Sequence, residues 1–210
     1  LKSFVKILIS IQLLFLTVGF VGFFTSYELI FKGLSIYNLL LTFILVSISF
    51  YTEMPQFLKT FGLVFLLGFT AEQIGVHSGL LFGNYSYSNH LGMSFYDVPL
   101  IIGINWSILS IGAWHICKKL HRNRWVNIFA ASLLMVLFDI VMEPTAIDLN
   151  YWKWTNGSIP MYNYVSWFLI SLPAVFICSK FQTEYSGISK TVFISQSLFF
   201  AFLSFKIVWL

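Results

Sequence analysis

Asp139 and Glu143 stand four residues apart in a stretch that is otherwise uncharged from Trp125 onward, and Glu72 closes a second uncharged stretch that starts at Phe61. A spacing of four puts two side chains on one face of a helix. At about 1.5 Å of rise per residue, Glu72 lies roughly 20 Å beyond Lys59 and Asp139 roughly 22 Å beyond Arg124. If these stretches cross a bilayer, whose hydrocarbon is about 30 Å thick, both acids sit inside it. A carboxylate at mid-span costs about 2.5–3.5 kcal/mol on insertion scales, so such groups turn to a cavity or a partner. One intramembrane acid reads equally well as interhelical glue. Two at similar depth, with a third one turn above, point to a functional cavity. What buried carboxyls can do without metal or nicotinamide is acid–base chemistry. An acid withdrawn from water keeps its proton at neutral pH and can deliver it to a trisubstituted alkene. Electron-rich rings and an ionised neighbour can steady the tertiary carbocation, and that neighbour can deprotonate an attacking water.

The elements that must hold these acids follow from composition. Of 210 residues, 58% are apolar and 10% charged, with a mean hydropathy of +0.84; these values mark a membrane chain. The net charge of +4 then serves orientation in the bilayer, and nucleic acid is excluded as a partner. Residues 7–27, 33–52, 98–117 and 154–180 are four long apolar stretches. Stretches from Phe61 to Glu72, Trp125 to Asp139 and Thr191 to Lys206 add three more. A spanning backbone must satisfy its own hydrogen bonds, and no alternating barrel pattern is present, so the spans are helices. The expected fold is all-α: one polytopic domain over residues 1–210 with seven transmembrane helices, without soluble domain or internal repeat. The chain opens on Leu1 and not Met, which reads as a processed or missing start. Its first apolar run is too long for a signal peptide and counts as a span.

Seven spans put Lys2, Lys6, Lys59, Lys118, Lys119, Arg122, Arg124, Lys180 and Lys190 on one side, against Lys32, Lys153 and Lys206 on the other. That asymmetry places the N-terminus in the cytoplasm and the C-terminus outside, in a bacterial cytoplasmic (inner) membrane. Glu28, Glu72, Asp97, Asp139, Glu143 and Asp148 then fall in the outer half, and Glu53 and Glu184 inside. Glu28 and Asp97 read as solvated at the interface. Cys117 and Cys178 fall at cytoplasmic helix ends as unpaired thiols. Neither CxxC nor HExxH occurs, and four scattered histidines cannot build a di-iron site, so no metal and no cofactor is expected. His115 and His121 read as surface residues, and His77 as a loop residue bonded to backbone. Trp125 and Trp209 read as an interfacial belt, whereas Trp152 and Trp154, beside the acids, suit a lid over an apolar ligand. Pro144 is expected to end its helix.

Two regions carry a resemblance. The segments GFTAEQIGVHSGLLFGNYSYSNHLG and VPLIIGINW, within residues 68–106, and DIVMEPTAIDLNYWKWTNGSIPMYNYVSW, residues 139–167, resemble the signature regions of the bacterial and archaeal membrane carotenoid biosynthesis proteins that act as carotenoid 1,2-hydratases of lycopene, γ-carotene or bisanhydrobacterioruberin type. Position by position the resemblance points to Glu72, Gly75, Gly79, Phe82, Gly83, Tyr85, Tyr87 and Pro99. In the second region it points to Asp139, Glu143, Pro144, Trp152, Trp154, Pro160, Asn163 and Trp167. Many members carry Asp before the proline where this chain has Glu143, which keeps the acid and changes its reach. The resemblance implies a hydro-lyase adding water across the terminal 1,2 double bond of an acyclic or monocyclic carotenoid, giving a tertiary 1-hydroxyl, with other carotenoid enzymes as candidate partners. On this reading Asp139 donates the proton, and Glu72 and Glu143 position water or accept its proton. Trp152, Trp154 and Tyr87 line the cation site, with Phe82, Tyr85, Asn163 and Trp167 as further substrate-binding residues.

A lycopene-type cyclase starts with the same protonation and closes a ring instead of admitting water. A proton-coupled transporter or a retinal-binding protein with Lys206 as Schiff-base amine is the non-enzymatic alternative. Short loops without inverted repeats argue against transport, and a lysine so near the end of its span is expected to snorkel.

Overall fold

The computed structural model describes residues 2–181 and 187–209; Glu184 lies outside them. Among the described residues it contains seven α-helices: α1 (Lys2–Gly22), α2 (Glu28–Ser49), α3 (Met54–Ser78), α4 (Leu100–Cys117), α5 (Arg124–Asp148), α6 (Met161–Lys180) and α7 (Gly187–Trp209). Each is long and apolar enough to cross a membrane, in keeping with the all-α polytopic fold expected from the sequence. Local signals set the ends. Pro55 lies in the first turn of α3, where a missing N–H costs nothing. Gly79 closes the same helix in the left-handed region, φ 66°, a conformation that favours glycine. Asn123 caps α5 by accepting from the backbone N–H of Trp125 at 2.9 Å.

Helix α4 occupies the middle, packed against α2, α3, α5, α6 and α7, with Ile108, Leu109 and Ala113 sealed from solvent. Large apolar side chains such as Leu14, Leu29 and Phe202 are instead exposed on the periphery, as expected where lipid is the solvent. Close helix contact at α4 and α7 depends on Gly112, where a Cβ would stand 2.8 Å from the Ser189 carbonyl oxygen and 2.8 Å from Phe193 Cβ.

Four expectations need correction. Pro144 does not end α5, which runs on to Asp148; proline removes only the bond to the Ile140 carbonyl, and packed neighbours hold such a helix together. Residues 154–180 are not one span. Trp152–Trp154 forms a short strand, and α6 starts at Met161 after Pro160. His115 is no surface residue: it is 2% exposed and stacked on Phe50 with ring centroids 6.0 Å apart. His77 belongs to the last turn of α3, exposed, and not to a loop, while His121 is exposed as expected.

At the end where α3 and α5 finish and α4 and α6 begin, the connecting segments make two small ribbons. Strand β1 (Tyr85–Tyr87) pairs antiparallel with β4 (Trp152–Trp154), Tyr85 opposite Trp154 and Tyr87 opposite Trp152. Strands β2 (Ser94–Phe95) and β3 (Val98–Pro99) form a hairpin through Tyr96 and Asp97, both at positive φ, as a tight two-residue turn requires. Glu28 approaches Lys206 at 3.8 Å. Lys206 also donates to the Phe23 carbonyl at 3.0 Å and lies over the Phe24 ring, so its amine is held at the helix ends.

Replacing Gly112 by Val should lower the thermal midpoint in detergent by the equivalent of about 1–3 kcal/mol, the usual cost of overpacking. An unchanged midpoint would mean that α4 and α7 do not approach as described.

Candidate active site

Glu72 lies one and a half turns before the end of α3, facing α4 and the β1 strand. Gly75, one turn on, leaves the space: a Cβ there would stand 2.5 Å from the Phe82 ring and 3.1 Å from the Tyr85 hydroxyl. The chain thus reverses at Gly79 and lays β1 back over the helix. Side chains two apart on a strand share a face, so Tyr85 and Tyr87 reach Glu72 together. The Tyr85 hydroxyl donates to Glu72 Oε2 at 2.5 Å and the Tyr87 hydroxyl to the same oxygen at 2.7 Å. The Trp106 indole of α4 donates to Glu72 Oε1 at 2.9 Å.

Strand β4 does the same for the second acid. The indoles of Trp152 and Trp154 both donate to Glu143 Oε2, each at 3.1 Å. A single antiparallel ribbon therefore supplies two phenols to one carboxyl and two indoles to another, with its cross-strand pairs in ring contact: Tyr85 on Trp154 at 5.2 Å and Tyr87 on Trp152 at 5.9 Å. Asp139, one turn below Glu143, is 1% exposed. Its Oδ2 accepts from the Asn163 amide of α6 at 2.8 Å, whereas its Oδ1 is buried with no hydrogen-bond partner.

The three carboxyls differ in what faces them. Donors alone approach Glu72, and both its oxygens act as acceptors. Among the described residues no donor approaches Asp139 Oδ1, so an acid proton fits there without displacing an existing bond and spares the site a bare buried charge. Loss of water pushes the Tyr85 and Tyr87 hydroxyls well above the ordinary phenol value of 10.0, and the charge of Glu72 adds to this. Both therefore remain O–H donors across the physiological range.

These groups enclose a chamber of about 50 Å³. One water needs about 10–15 Å³ of such space, so the chamber has room for water beside the acids. The ten residues given catalytic or substrate-binding roles from the sequence, Glu72, Phe82, Tyr85, Tyr87, Asp139, Glu143, Trp152, Trp154, Asn163 and Trp167, line it, whereas Gly75, Gly79, Gly83, Pro99, Pro144 and Pro160 do not. Phe82 meets Tyr85 edge-on at 6.2 Å, and Trp167 stacks on Trp106 at 4.2 Å. Among the described residues no group of three or more His, Cys, Asp or Glu is placed to hold a metal ion. Asp97, Asp148 and His77 are exposed and lie outside the chamber.

The sequence reading passed over Ile102, Asn105, Trp106 and Met142, which complete the wall. For Trp106 and Asn105 a signal existed: an indole N–H and an amide side by side in the apolar run that becomes α4. Next to the chamber lies a groove of about 480 Å³ between α1, α2, α4 and α7, lined mostly by apolar side chains. Ile102, Asn105, Met142 and Trp152 line both spaces and form their common wall.

The donor arrangement predicts a falling stability at high pH. Phenols whose folded pKa exceeds the unfolded value stabilise the fold fully below about pH 10 and lose that contribution as pH rises toward the folded pKa. Tyr85→Phe with Tyr87→Phe should flatten this alkaline decline of the thermal midpoint; a decline as steep as in the parent would contradict the two hydrogen bonds. Residues 34–210 match the family described as carotenoid biosynthesis protein. No curated protein and no solved structure matches the chain.

Proposed function

Because the chain belongs to the carotenoid biosynthesis protein family, we propose that it hydrates the terminal 1,2 double bond of an acyclic carotenoid end group, a cofactor-independent hydro-lyase reaction. The observation that carries this reading is Asp139 Oδ1, a carboxyl oxygen buried without a partner in a chamber that shares a wall with an apolar groove.

The reaction runs in two steps. Asp139 transfers its proton to C2 of the alkene, the π electrons form the new C–H bond, and a tertiary cation remains at C1. The faces of Trp152, Trp154 and Tyr87 and the charge of an ionised carboxylate stabilise that cation, which gains most in a site of low dielectric. Water then attacks C1, and Glu143 or Glu72 removes its extra proton as the C–O bond forms. That proton returns to Asp139, and the sum is alkene plus water giving a tertiary alcohol. Glu143 suits the base role: its Oε2 is held by two indoles, and it stands one helical turn from Asp139. Asn163 positions the donor by fixing Asp139 Oδ2.

The substrate class follows from phase. A long polyene dissolves in hydrocarbon, while the reaction consumes water, so the site belongs where membrane depth and solvent meet. The lysine and arginine asymmetry supports an outer position for that end and a cytoplasmic N-terminus, and the proposed setting is a bacterial inner membrane. Other carotenoid enzymes are the expected neighbours, since they make the alkene and consume the alcohol.

Expressed in a lycopene-accumulating host, the chain should yield products one or two waters heavier. Asp139→Asn should lower them at least about 100-fold, the range of general acid catalysis, while inserting as well as the parent. Undiminished product from Asp139→Asn would reject the donor assignment, and a product isomeric with the substrate would assign a cyclase instead.

A further inference from the structure

Beside the chamber lies a groove of about 480 Å³ that the reaction steps leave without an occupant. Its rim is exposed on both sides: Phe15 and Val18 of α1 are 52% and 50% exposed, and Leu34 and Tyr37 of α2 are 46% and 65% exposed. All four line the groove. Its inner end is the wall shared with the acid chamber. It therefore runs from the lipid-facing surface between α1 and α2 to the wall of the acid chamber.

We propose that this groove is the lateral port for the substrate: it admits a linear polyene from the bilayer between α1 and α2 and holds the conjugated chain while the end group lies in the chamber. The inference rests on the hydration reading for the identity of the occupant, but the port itself can be tested separately. Three features favour a polyene chain. The lining is mostly apolar, with Phe23, Phe31, Phe199 and Phe200 among its aromatic members, and such rings pack well against a flat π system. The space abuts the chamber, from which Ile102, Asn105, Met142 and Trp152 divide it. The α1 wall is also kept open at Gly19, where an added Cβ would meet nothing within 4 Å, so this glycine leaves room that no neighbour fills.

That open space supplies the test. Gly19→Phe narrows the groove from α1 and Leu34→Trp narrows it from α2, while Leu14→Phe alters the lipid-facing side of α1, where Leu14 is 60% exposed. Purified protein in detergent is loaded with a lycopene-type C40 polyene, and the pigment retained after gel filtration is read by visible absorbance. Hydration is assayed in parallel with that polyene and with a C10 acyclic hydrocarbon bearing the same terminal trisubstituted alkene. Both narrowing variants should retain at least fivefold less polyene and hydrate it at least tenfold more slowly. Their turnover of the C10 alkene should stay within twofold of the parent, and Leu14→Phe should match the parent throughout. Parent-like retention in both narrowing variants, or equal losses on long and short substrates, would overturn the port. Retention by the parent without any hydrated product would support the port and reject hydration.

Discussion

An ionisable oxygen inside a membrane needs a donor, a partner or a proton, and water is scarce there to provide one. Glu72, Asp139 and Glu143 impose that demand three times in a single small volume. The answer is a ribbon made from two loops. Strand β1 brings two phenols to Glu72 and strand β4 two indoles to Glu143, in a register that sets each tyrosine ring against a tryptophan ring. The loops are thus fixed by the acids they cover, and the acids are held buried by the loops.

The rest of the bundle can be understood from this arrangement. Helix α4, buried on most sides, supplies Trp106 to Glu72 and Asn105 to the wall between chamber and groove. Helix α6 supplies Asn163 to Asp139 and lays Trp167 against Trp106. Helices α1, α2 and α7 contribute no residue to the chamber lining; with α4 they form most of the groove. The protein therefore separates a polar chamber, where charge can develop, from an apolar space suited to a hydrocarbon chain, with four side chains between them.

Much of this was legible in the sequence. Long apolar stretches defined seven helices because, without the alternating pattern of a barrel, only helices satisfy a spanning backbone. The four-residue spacing of Asp139 and Glu143 fixed their shared face before any coordinates. What escaped was tertiary. Pro144 looked like a stop, yet packing carries α5 past it to Asp148. Trp152 and Trp154 read as a lid beside the acids, but that they form a strand shows only in their pairing with β1. His115 follows the same logic: its place near a basic loop suggested solvent, but its helix is the central one and Phe50 covers it. Asn105 and Trp106 were visible as residue types, but their facing depends on which side of α4 meets α3 and α5.

Isotopes test the central claim most directly. Membranes containing the protein, incubated with an acyclic polyene in deuterated water, and separately in ¹⁸O-labelled water, should give alcohol carrying one carbon-bound deuterium beside each new carbinol carbon and oxygen drawn from water. Neither label should appear with Asp139→Asn. Alcohol oxygen that comes from dioxygen, or alcohol formed without carbon-bound deuterium, would contradict an acid-catalysed hydration and the role given to the buried carboxyls.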